Sequence, residues 1–131
     1  MGFVNDSMHT YIERDLKKKY PASEGWKIER DPAWDGVKFD YQVSKRRFGV
    51  HARYLVEVVI EKTITASMVG TIKGKIEAVN AQGVSSDGVV LIIPTGADVS
   101  AVPDGMETMF LKVLKVEDND ILWWRKAHAA E

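Results

Sequence analysis

Cysteine is absent from the 131 residues. Its absence excludes disulfide scaffolds, cysteine-based zinc sites and cysteine nucleophiles, and it suits a reducing compartment. Histidine is scarce: His9, His51 and His128 have no ligand-like spacing, so no histidine metal centre is expected. An excess of either charge is lacking too. Lys and Arg number 18 against 19 Asp and Glu, a formal net charge of −1. No global field therefore draws nucleic acid or an anionic membrane, and such a contact must rest on a local basic patch. The longest apolar run, Val89 to Ile93, is far too short for a membrane-spanning helix. Met1 to Met8 lacks a basic stretch followed by an apolar one, so no signal peptide is expected. Pro94-Thr95-Gly96 is no phosphate loop, and neither a dinucleotide fingerprint nor a nucleophile elbow occurs. The expectation is a soluble, cytoplasmic protein.

Apolar residues make up 45% of the chain and charged ones 28%, enough to build a core. The length fits one domain spanning residues 1–131. Asn5-Asp6-Ser7 offers cap residues before an apolar spacing of Met8, Ile12 and Leu16, and Lys17 to Lys19 suit the last turn, which predicts a helix over 6–19. Residues 25–30 alternate and read as a strand, 31–36 as a loop, and 37–43 as a strictly alternating strand. In that strand Val37, Phe39, Tyr41 and Val43 share one face, and Lys38, Asp40 and Gln42 the other. A basic turn, 44–49, leads into a long strand, 50–62.

From about Thr65 the period lengthens to that of a helix, with Met68, Val69, Ile72, Ile76 and Val79 as its apolar stripe and Gly83 closing it. Gly70 and Gly74 lie on a neighbouring smooth face, suited to close packing against the sheet or a partner helix. Residues 89–93 are apolar throughout, as a central strand covered on both sides would be. A loop over 97–106 follows, then 109–116, which fits helix or strand and is assigned as strand because 117–120 reads as a turn into 121–124. Residues 127–131 read as a frayed tail.

This order of helix, three strands, helix and buried strand resembles the PD-(D/E)XK nuclease-like superfamily, in particular its Holliday-junction resolvase-like members. The resemblance covers about residues 6–95 and implies an α/β fold: a mixed sheet flanked by helices, with a restriction endonuclease-like αβββαβ core, here followed by a C-terminal hairpin over 96–131. Residue by residue it implies that Glu13 is the first-helix acid, Asp40 the metal-binding Asp of the second strand, and Glu57 the acid of the third. Two positions depart from the pattern. Val59 stands where the family has its lysine, and Phe39 precedes Asp40 in place of proline. The implied chemistry is phosphodiester hydrolysis in DNA, with Mg²⁺ held between Asp40 and Glu57. Lys38 shares the strand face of Asp40 and is the candidate for the missing cation, while Lys73 or Lys75 would have to reach over from the helix.

Simpler structural roles stand beside these. Asp40 suits an exposed polar face, and Glu13 a solvated helix flank. Glu57 lies inside an apolar strand, where a carboxylate needs a metal or a cross-strand partner such as Lys38 or Arg53. Lys45, Arg46, Arg47, His51 and Arg53 suit either a DNA backbone or a solvated hairpin tip. Trp123-Trp124 suits base stacking or edge-strand packing. Val59 and the near-zero charge favour a catalytically silent relative that serves as a binding or assembly module. A homodimer fits either reading.

Overall fold

The computed structural model describes residues 6–47, 49–117 and 120–123. The expected roles of the Arg47 side chain, the Trp123-Trp124 indoles, His128 and the tail fall outside it. Helix α1 spans Asp6–Lys19. Strand β1 is Trp26–Arg30, and a short ribbon joins β2 (Ala33–Trp34) to β3 (Val37–Lys38). Strands β4 (Tyr41–Arg47) and β5 (Val50–Val58) form a hairpin. Helix α2 (Ala66–Ala81) leads to β6 (Gly88–Thr95), β7 (Met106–Glu117) and β8 (Asp120–Trp123). The main sheet has the order β1-β4-β5-β6-β7-β8. Its β1–β4, β4–β5 and β7–β8 pairs are antiparallel; β5–β6 and β6–β7 are parallel. The chain is thus mixed α/β, mostly sheet with two helices, and no helix among the described residues is long and apolar enough to cross a membrane.

Alternation sorts the apolar side chains onto two sides. Met8, Ile12 and Leu16 of α1 pack with Tyr41, Val43, Val56, Val58, Val90 and Ile92. Val69, Ile72 and Val79 of α2 pack with Phe39, Leu55, Val59, Val89, Leu91 and Ile93. β6 is buried from Val89 to Pro94 because a helix covers each face, as its unbroken apolar run suggested. The Thr65 side chain starts α2 by accepting the Met68 N–H at 3.2 Å. The β6–β7 crossover has no helix. It lies on the α2 side, where Ala97, Val99 and Val102 join the core and Asp98 pairs with Thr63 and bonds Lys62 and Ile64.

Three expectations need correction. The strand expected over 50–62 ends at Val58. Residues 31–36 are not simply a loop. Positive φ at Asp35 (47°) and Gly36 (87°) closes the β2–β3 ribbon with the twist that suits a two-residue hairpin. Nor is 37–43 one strand. It breaks at Phe39-Asp40, because the Asp40 carboxylate accepts the Val58 N–H at 2.7 Å while its own N–H bonds the Val56 carbonyl at 3.1 Å. The break turns Phe39 toward α2 and leaves Tyr41 and Val43 toward α1, so the four residues do not share a face.

The smooth face of α2 is exposed. A Cβ added at Gly70 or Gly74 would meet nothing within 4 Å. Gly70→Ala and Gly74→Ala are each expected to stabilise the fold by about 0.5–1 kcal/mol, through lower chain entropy in the unfolded state. Urea midpoints measure this, and a destabilised double variant would contradict it.

Candidate active site

Glu57 faces α2 near the end of β5, on the same side as Leu55 and Val59, and is only 7% exposed. A carboxylate there needs a partner. Among the described residues no cation from the neighbouring strands supplies it, contrary to the Lys38 or Arg53 pairing considered above. Lys38 is exposed in the β2–β3 ribbon, across the break from Asp40, so the two share no strand face. Arg53 donates to the Ser85 carbonyl at 3.0 Å, and its own N–H bonds Asp87 at 2.8 Å, which ties β5 to the turn before β6. The cation that meets Glu57 is Lys75 of α2, whose Nζ donates to Oε2. Its ammonium also lies 4.4 Å from the centre of the Phe39 ring.

Asp40 completes the group. Its carboxylate accepts the N–H of Val58, the residue next to Glu57, at 2.7 Å, which sets it beside the Glu57 carboxyl. Burial, the Asp40 hydrogen bond and the nearby Asp40 charge push the Glu57 carboxyl up to about 7, against the pull of Lys75. A cavity of about 230 Å³ opens onto Glu57 and Lys75 and is walled by Val59, Met68, Thr71 and Ile72. Glu57 and Lys75 therefore meet at one pocket between sheet and helix, with Asp40 held next to Glu57 through the Val58 N–H.

Lys75 was legible in part. It interrupts the stripe Met68, Ile72, Val79 much as Glu57 interrupts its apolar strand. Two opposite charges on facing buried surfaces are candidates for each other. The donor set also suits a hard divalent ion. Two carboxylates supply oxygen ligands, and their mutual repulsion is what an ion of charge +2 would relieve. Among the described residues no third His, Cys, Asp or Glu joins them, so backbone carbonyl, water or substrate oxygens would complete a shell.

Glu13 belongs elsewhere. It lies on the α1 side, where Arg30 forms an ion pair with it and the Tyr41 hydroxyl donates to it at 3.1 Å. His9 Nδ1 in turn hydrogen-bonds the Tyr41 hydroxyl. Burial opposes the Glu13 charge, but Arg30 and Tyr41 outweigh it and hold the carboxyl below its ordinary value. This network staples α1 to β1 and β4. Tyr41→Phe is expected to cost about 1–2 kcal/mol, since it leaves His9 and Glu13 short of a partner. Denaturation of the variant measures it, and an unchanged midpoint would refute the staple.

The basic group is also divided. Lys45 lies over the Trp26 ring at 5.6 Å on the α1 side. Arg46 is exposed one residue further along β4, on the other face, and Arg53 is tied to Ser85 and Asp87. These side chains do not form one patch among the described residues. No family model, no curated protein and no solved structure matches the chain.

Proposed function

We propose that this chain is a nuclease-like domain that hydrolyses phosphodiesters in DNA, with Asp40 and Glu57 holding a Mg²⁺ ion and Lys75 serving as the cation of the site. The meeting of Glu57 and Lys75 at one cavity, with the Asp40 carboxylate bonded to the N–H of the residue after Glu57, carries the reading. The resemblance to the PD-(D/E)XK superfamily, with its αβββαβ core, supports it through the order of elements and the two matched acids. Lys75 supplies from the helix what Val59 cannot supply from the strand. The ion would neutralise charge on the transferring phosphate and activate water. Asp40 is fixed for its part by the Val58 N–H. With an ion held at Glu57, Lys75 would be the residue able to point a donor at the phosphate oxygens. Glu13, held by Arg30 and Tyr41, has no part in this proposal, and neither has Lys38.

The test is cleavage of branched, single-stranded and double-stranded DNA with Mg²⁺ or Mn²⁺, with Asp40→Ala and Glu57→Ala as controls. Activity that persists in both variants removes the site. One observation favours a different reading, a homodimeric binding or assembly module without catalysis: Gly70 and Gly74 leave an exposed, smooth strip on α2. Sedimentation of the Gly70→Ala/Gly74→Ala protein beside the parent separates the two, because only the assembly reading predicts weaker self-association.

A further inference from the structure

Phe110 is the one large apolar side chain among the described residues that stands exposed, at 43%. It sits on β7 beside the last turns of α1. There a groove of about 360 Å³ is lined by Phe110, Met109, Lys112, Lys18, Lys19 and Asp15. Lys19 is bound to Glu107, and Asp15 lies 3.5 Å from Arg14. Among the described residues neither Lys18 nor Lys112 has an acidic partner. A chain of net charge −1 thus carries unneutralised positive charge at the exposed Phe110 ring.

We infer that this groove binds single-stranded nucleic acid, with a base stacked on Phe110 and phosphates against Lys18 and Lys112. The two components match the ligand. Stacking on an aromatic face tolerates any base, and lysines gain affinity by displacing counterions from the backbone. An acidic peptide would satisfy the lysines and leave the ring without a flat partner. Met109 packs toward the α1 core while Phe110 and Lys112 alternate to the other face of β7, so the groove wraps around β7 beside the end of α1 and shares no lining residue with the cavity at Glu57 and Lys75. Binding here does not depend on cleavage at Asp40 and Glu57.

The experiment is fluorescence anisotropy of the full chain with labelled oligo(dT) and oligo(U) of roughly 20 nucleotides, longer than one site. EDTA is present throughout, so that metal and cleavage play no part. Both probes should bind, with affinity falling as salt rises. Phe110→Ala should weaken binding about tenfold, with Phe110→Trp restoring it. Lys18→Gln/Lys112→Gln should weaken it similarly and lower the salt slope by about 1–2. All these side chains are exposed, so circular dichroism should be unchanged, and Arg46→Gln should bind as the parent does. Failure to bind either probe, or affinities that ignore Phe110 and the lysines, would overturn the inference. So would equal competition by poly-glutamate, which would mark the groove as a docking place for acidic protein.

Discussion

Asp40→Asn and Glu57→Gln are each expected to lower metal-dependent DNA cleavage by about a thousandfold or more, and Lys75→Met by about a hundredfold. The first two remove ligand charge and change little else. Asparagine can still accept the Val58 N–H through its side-chain oxygen, so the interruption of the strand that positions residue 40 should survive. Glutamine keeps the volume and hydrogen-bonding capacity of Glu57 at a site that is almost fully buried. Loss of activity with an unchanged circular dichroism spectrum would therefore report chemistry. Lys75→Met keeps the stem that lies over Phe39 and removes the ammonium. A smaller loss is expected because the metal would remain. The Lys75 variant should also need less Mg²⁺ or Mn²⁺ for half-maximal rate, since the ammonium no longer competes for Glu57. A higher metal requirement in Lys75→Met would show that the lysine does not compete with the ion. Full activity in Lys75→Met would remove it from the site.

The elements were legible where one period governed them. The stripe Met8, Ile12, Leu16 marked α1, and the unbroken run from Val89 marked the doubly covered β6. The ambiguous 109–116 is strand, and extends to Met106–Glu117, because β6 on one side and β8 on the other take its backbone groups. The proposed site was legible only in its acids. Asp40 and Glu57 were each suspect by position, but their cation was not fixed, because Lys75 comes from an element 18 residues further on and reaches Glu57 only through the packing of α2 on the sheet. Lys38 misled because alternation over 37–43 looked perfect. Periodicity cannot register a side chain that captures a backbone N–H from the neighbouring strand, as Asp40 captures that of Val58. Glu13 misled for a different reason: its helix packs on the opposite side of the sheet, and a linear order of elements does not say which face each helix covers.

Stability should fall as pH rises through the range in which Glu57 ionises. In the unfolded chain this carboxyl releases its proton near 4.5; in the fold, burial and Asp40 hold the proton until about pH 7. Between those values the folded state carries the extra proton, so unfolding becomes easier with each step up in pH. Below 4.5 both states are protonated and the contribution is fully present, while above 7 it is lost. The total is about 3 kcal/mol. Urea unfolding from about pH 5 to about pH 8 should show this decline in the parent and a flatter profile in Glu57→Gln, which has no proton to lose at that position. A decline of equal size in both would place its origin elsewhere. The same carboxyl links stability to the ion. At pH 8 the ionised pair is repulsive, and Mg²⁺ or Mn²⁺ at about a hundred times its dissociation constant should restore about 2.7 kcal/mol. That gain should shrink at pH 5, where a proton already occupies the position, and vanish in Glu57→Gln. Proton and metal ion would then be alternative occupants of one pair of acids, with the Lys75 ammonium their competitor at Glu57.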